Sequence, residues 1–489
     1  MHEGRTPVLV GVAQLEQRVD DPRDAEEPIQ LMLRASEAAA EDAGSSALLA
    51  LAQSVYVIKG IWPYVNAPGH VAERIGARGA ATLSTPYGGN NVQSCVSDAA
   101  RQIVAGETDI VLITGAEIGR TQARAARAGI RLDWTETEGS PDRLVGSNAS
   151  TVHPAEAALR IFKPIEIYPI FENAIRNDRG ESLEDHITRV SELWARFNAV
   201  AVENPHAWIR EPIDARAIRT PSASNRMVGF PYTKLMNSNN AVDQAAALIL
   251  CSLDRAHALG LDESRFVFPH AGTDAHDAYV ASNRADLHSS PAIRIAGMRC
   301  LELAETDSGE IDYVDLYSCF PSAVQVAAEE LGLCEDRPLT VTGGLTFGGG
   351  PLNNYVMHAI ARMADVLRDA PGTRGLVTAN GGNLAKHAFG VYSTEPPPKG
   401  FRYADLQTEV DAQPGREVTQ DHVGPVTVES YTAMYDADGP ATAVLACLTD
   451  AGQRCWATSS DRGLARAVTE QEFCGERGER DHEGGFRVH

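Results

Sequence analysis

A chain of 489 residues is longer than one ordinary hydrophobic core can organise, so two or three packed domains are expected. Hydrophobic residues make up 43% and no apolar run is long enough for a bilayer, which excludes a membrane-embedded protein. The formal net charge of -23 repels nucleic-acid phosphates and disfavours a nucleic-acid partner.

The opening MHEGRTPVLVGVAQ has no basic segment followed by an apolar stretch and a small-residue cleavage site, so a cytoplasmic location is expected. Residues 7–14 read as an apolar strand. Pro28 then starts a helix that runs through Leu31, Leu33, Ala35 and Ala39 to a stop at Gly44. The alternation continues with a strand at 54–59, a helix at 92–105 and a strand at 109–114 closed by Gly115, which predicts an α/β fold with a helix-covered sheet. Cys95, Cys251, Cys300, Cys319, Cys334, Cys447, Cys455 and Cys474 form no CxxC pair, so free thiols are expected, with no disulfide framework and no metal site.

From about residue 119 to 235 the chain turns to charged helices, prolines and aromatics (FKPIEIYPIFENA, RVSELWARFNAVA), which predicts an inserted helical domain whose Trp194, Phe197 and Trp208 fill its own core. The α/β pattern returns with NSNNAVDQAAALILCS and runs to about residue 394. Gly88-Gly89-Asn90-Asn91 precedes a helix and then IVLITGAE, and Gly348-Gly349-Gly350-Pro351 precedes a helix and then LVTANGGN. This echo implies a duplicated unit. After EPPPKG the tail, residues 395–489, carries VTVESYTAMY, the turn DADG, TAVLACLTD and RCWATSS. Short strands at this spacing suit a small β domain, either an OB-like barrel or a sandwich.

Glycine at the entry to a helix lets a ligand approach the backbone, where free N–H groups and the helix dipole favour negative charge. Neither elbow matches a Walker A or dinucleotide GxGxxG pattern. The run QSCVSDAARQIVAGETDIVLITGAE, however, resembles the helix and strand after the nucleophile of thiolases. NSNNAVDQAAALILCS, DLYSCF, GGLTFGGGPL and ANGGN are similar, in the expected order, to four further thiolase segments. The tail resembles the additional C-terminal domain of bacterial type-1 thiolase-like proteins. The resemblance implies a layered αβαβα core built from an N-terminal half (1–118 and 236–255) and a C-terminal half (256–394). It also implies coenzyme A or an acyl-CoA as ligand without a permanently bound cofactor, acyltransferase-class chemistry and a setting in lipid metabolism. Thiolases pair their N-terminal sheets, but a fused domain can cover that edge, so monomer and homodimer both stay open.

On the thiolase pattern the nucleophile position falls on Gly89, the GHP-loop histidine on Gly350 and the base cysteine on Ala379, while Cys95 lies inside a helix. Ordinary thiolysis needs a thiolate, a base and oxyanion donors, so the resemblance implies a CoA-ester protein without it. Tyr317, His387 and Cys319 remain as groups for a cysteine-independent retro-aldol or retro-Claisen cleavage, with packing as their alternative role. Asn90, Asn91, Gly349, Asn380 and Gly381 remain as substrate-binding candidates, with turn formation as the alternative for the asparagines. A non-catalytic acyl-CoA binder fits the same residues.

Overall fold

The computed structural model describes residues 3–488. The β-branched run Ile110–Ile118, buried along its whole length, pairs antiparallel with the equally buried Asp243–Ser252, which pairs in turn with Pro7–Glu16. On the other side Ser54–Val57 and Ala81–Ser84 add in parallel, and the two-residue strand Arg143–Leu144 covers the outer edge. Gly11 carries no side chain because a Cβ there would strike the Ala39 carbonyl, and this contact seats the helix Pro28–Asp42 on the strand.

A second sheet runs in the order Tyr313–Asp315, Arg374–Gly381, Lys386–Ser393, Phe268–His276 and Arg402–Asp405. Two helices, Asn91–Ala105 and Tyr355–Asp369, lie between the sheets and pack against both. Each is buried on nearly all sides over most of its length, with small residues and a few polar ones such as Gln93, Ser97 and His358 enclosed between the sheets. Further helices cover the outer faces, completing the layered arrangement. No helix among the described residues is long and apolar enough to cross a membrane.

The inserted region contains the helices Pro164–Asp178 and Leu183–Glu203. With Arg143–Leu144 it also contains three strands that the sequence pattern passed over, the others being Met227–Gly229 and Tyr232–Thr233, each too short to show a period. Met227–Gly229 pairs with Gly424–Asp436 of the tail, so the insertion and the tail share one sheet. The other tail strands are Gly439–Leu448, Arg454–Ser459, Arg477–Arg480 and Phe486–Val488, and a bridge from Thr458 to Gly485 brings the sheet's two ends together. Residues 402–405, expected in the tail domain, instead extend the second sheet. The tail packs on the Pro164–Asp178 helix, where Ser430 donates to the Ile170 carbonyl and Asn173 to the Tyr431 carbonyl at 2.9 Å. Val444, Ala446 and Trp456 join the main core directly.

Candidate active site

The elbow before Asn91–Ala105, the loops after Arg374–Gly381 and Tyr313–Asp315, and the N-terminal end of Pro164–Asp178 together enclose a cleft of about 790 Å³. Gly88, Gly89, Tyr317, Cys319, Asn380 and Gly381 line it, with Tyr168 and Lys386. The loops meet this closely because glycine stands where they touch. A Cβ on Gly381 would strike Asn90 and lie 3.2 Å from the Gly89 nitrogen.

Of the three positions that the resemblance assigns to thiolase catalytic groups, Gly89 and Gly350 have no room for a side chain. A Cβ on Gly89 would fall on the Tyr317 hydroxyl and lie 2.5 Å from the Asn380 carbonyl oxygen. One on Gly350 would fall on the Ser238 hydroxyl. Ala379 is buried in its strand at 1% exposure.

Tyr317 and Cys319 face the cleft, and burial governs both. The Tyr317 phenol is pushed above the ordinary tyrosine range by desolvation, and the Cys319 thiol is pushed up to about 12 by the same cause. His387 does not line the cleft; it borders a small gap that Tyr317 and Asn380 also line, with Nε2 3.2 Å from the Leu384 carbonyl and 3.7 Å from Asp277. Strand alternation explains this: Lys386 and His387 are consecutive and point to opposite faces, and it is Lys386 that reaches the cleft.

Asn380 and Gly381 line the cleft, whereas Asn90, Asn91 and Gly349 do not. Asn91 donates to the Pro86 carbonyl at 2.8 Å and so holds the elbow itself, while Asn90 wedges beneath Gly381. Gly349, at φ +113°, makes room for the Gln244 amide, which donates to the Gly348 carbonyl at 3.0 Å. Cys95 is wholly buried in the helix, where desolvation pushes its thiol well above the ordinary value. All eight cysteines are free.

Tyr168 was missed in the sequence, where the aromatics of FKPIEIYPIFENA read as the insertion's own core. Its hydroxyl accepts from Asn380 Nδ2 at 3.0 Å and from the Leu384 backbone N–H at 2.9 Å, and its ring stacks on Phe320 with centroids 4.4 Å apart. Asn380 is thereby held with Oδ1, which has no protein partner, left to accept. The irregular stretch 147–152 was missed too, since it has no period or motif, yet it forms one wall of the cleft. No residue after Lys386 lines it among the described residues, and no group of three or more His, Cys, Asp or Glu there is arranged to hold a metal.

Residues 405–484 match the family model described as the thiolase-like protein type 1 additional C-terminal domain. The crystal structure of a monomeric SCP2-thiolase-like protein type 1 from Mycobacterium smegmatis is 31% identical, with a TM-score of 0.85 and 100% of both chains covered. An Ltp2-ChsH2(DUF35) aldolase shares the fold at 19% identity, with a TM-score of 0.61 over 80% of this chain and 98% of that one. An acetyl-CoA acetyltransferase from Methanothermobacter thermautotrophicus is 26% identical over 193 residues, 34% of this chain and 49% of the relative. The chain spans half or less of the length of the curated relatives it matches.

Proposed function

We propose, from the premise that this chain belongs to the type 1 SCP2-thiolase-like proteins, that its cleft binds the acyl end of a coenzyme A thioester and that cysteine-dependent thiolysis is lost. The premise brings acyltransferase-class relatives with it, among them acetyl-CoA acetyltransferases. The observation that carries the reading is the pairing of Gly89 with Tyr317: a phenol takes up the space that a nucleophile's side chain would need. Thiol chemistry has no replacement close by. Cys319 is held at about 12, so its thiolate is scarce at neutral pH, and the Tyr317 phenol stays protonated. The Tyr317 hydroxyl, beside Gly89 and ahead of the positive end of the Asn91–Ala105 helix, is the group free to donate, while the Cys319 sulfur accepts from Asn380 Nδ2 at 3.8 Å.

That donor favours a second reading, a retro-aldol lyase. When the β-hydroxyl of a β-hydroxyacyl thioester gives its proton to water, the Cα–Cβ bond breaks, a carbonyl product leaves, and the bond's electron pair moves onto the thioester as an enolate, which a phenol O–H donating to its oxygen stabilises until Cα takes a proton back from water. The aldolase that shares the fold is in keeping with this chemistry.

Calorimetry with CoA, acetyl-CoA and a β-hydroxyacyl-CoA tests the binding claim. Absence of binding at millimolar concentration overturns it. Thiolysis of acetoacetyl-CoA should be undetectable, and a stable acetyl adduct on Cys95 or Cys319 in the mass spectrum would overturn the cysteine-independent reading. Carbon–carbon cleavage of the β-hydroxyacyl thioester separates the lyase from a non-catalytic binder.

A further inference from the structure

Lys386 opens the strand Lys386–Ser393 and is 7% exposed, yet its side chain lines the cleft. The ammonium donates to the Ser147 carbonyl at 3.0 Å and the Tyr87 carbonyl at 3.3 Å, which leaves one of its three N–H groups unused. No carboxylate pairs with it among the described residues. Desolvation is the single influence on its pKa, pulling it below the ordinary lysine value. The cleft's other lysine, Lys163, is well exposed and has Glu166 at 3.5 Å. A charge taken out of water without a counter-charge is costly, and such a group is retained where a ligand supplies the opposite charge.

Position narrows the ligand chemistry. Lys386 lies across the ladder from Gly381, which touches the Gly89 loop, and Tyr87 is two residues from Gly89, roughly 7 Å of extended chain. The ammonium therefore sits beside the acyl end of a bound thioester. The phosphates of coenzyme A lie a whole pantetheine arm away from that end. We propose that Lys386 recognises a carboxylate carried on the acyl group, so that the preferred ligands are CoA monothioesters of dicarboxylic acids; the proposal rests on the thioester reading given above.

The test is calorimetry on the full chain with free CoA, butyryl-CoA and succinyl-CoA, for the wild type and Lys386→Met, together with the melting temperature of each unliganded protein. The wild type should bind succinyl-CoA roughly 10- to 100-fold more tightly than butyryl-CoA, the range of one charge-assisted hydrogen bond. K386M should remove that preference by weakening succinyl-CoA far more than CoA or butyryl-CoA, and melt at or above the wild-type temperature because a lone charge has gone. Equal binding of the two thioesters by the wild type overturns the proposal and leaves the thioester reading standing. So does an equal loss for all three ligands in K386M, which would assign the ammonium to the CoA moiety. A lowered melting temperature with the preference intact would make Lys386 a structural clamp on Ser147 and Tyr87. Failure of all three to bind the wild type overturns the thioester reading and this proposal with it.

Discussion

A side chain at Gly89 and the phenol of Tyr317 exclude one another: a Cβ on residue 89 would clash with the Tyr317 hydroxyl, and the Asn380 carbonyl oxygen would lie 2.5 Å from it on another side. Restoring a cysteine there is thus an overpacking substitution. Gly89→Cys should lower unfolding free energy by about 1–3 kcal/mol in urea, and adding Tyr317→Ala should recover part of that loss. Neither variant should perform thiolysis, since Gly350 and Ala379 still supply no base. If G89C matches the wild type in stability, the two groups do not compete for space.

Thiol reactivity gives a check on the electrostatics. Cys334 is exposed, whereas burial pushes the Cys319 thiol up to about 12, so that it stays protonated at pH 8. Brief iodoacetamide treatment of the native protein at pH 8 should alkylate Cys334 and leave Cys319 and Cys95 intact by mass spectrometry. Bound CoA thioester should make no difference to Cys334.

Glu117 provides a pH signature. Burial raises its carboxyl from 4.5 to about 7; Oε1 accepts the Ile61 N–H at 2.9 Å, and Oε2 has no protein partner. The native state holds a proton that the unfolded chain has already released between these values. The contribution of Glu117 to stability therefore falls as pH rises from about 4.5 to 7, by about 3 kcal/mol in all. Glu117→Gln removes this dependence, so urea titrations should find the variant gaining on the wild type from pH 5 to pH 8. A constant difference across that range would refute the assignment.

Arg454 tests whether the tail is integral. It is wholly buried, forms a bidentate pair with Glu429 at 2.6 and 2.7 Å, and donates to the carbonyls of Ser282 at 2.9 Å and Arg284 at 2.6 Å in the second half of the core. Arg454→Met strands the Glu429 charge and should cost about 3–5 kcal/mol, with part regained in the double variant with Glu429→Gln. A loss confined to the tail, with the cleft still binding ligand, would make the tail an independent unit.

The layered core was legible because its strands are unbroken apolar runs and its central helices follow glycine elbows, two signals that survive without an alignment. Gly89, Gly350 and Ala379 were singled out by the family pattern alone. What fills them was not: Tyr317 and Ser238 reach those spaces from loops distant in sequence. His387 and Lys386 were equally able chemically, and only strand register decides which of the two neighbours faces the cleft. Tyr168 was hidden for a related reason, since an aromatic on a mostly buried helix looks the same whether it fills a core or orients a loop.

The helix Pro164–Asp178 carries the order in which the molecule can be made. One face packs against the core and the other against the strand Gly424–Asp436, which leaves the ribosome well after the helix itself. During translation the outer face of this helix, with Ile170 and Asn173, waits uncovered while the thiolase core is already assembling. The wall of the cleft that Tyr168 belongs to is thus secured only after the strands of both core sheets have emerged, and a nascent chain stalled before residue 424 would leave Asn173 and the Ile170 carbonyl without their tail partners.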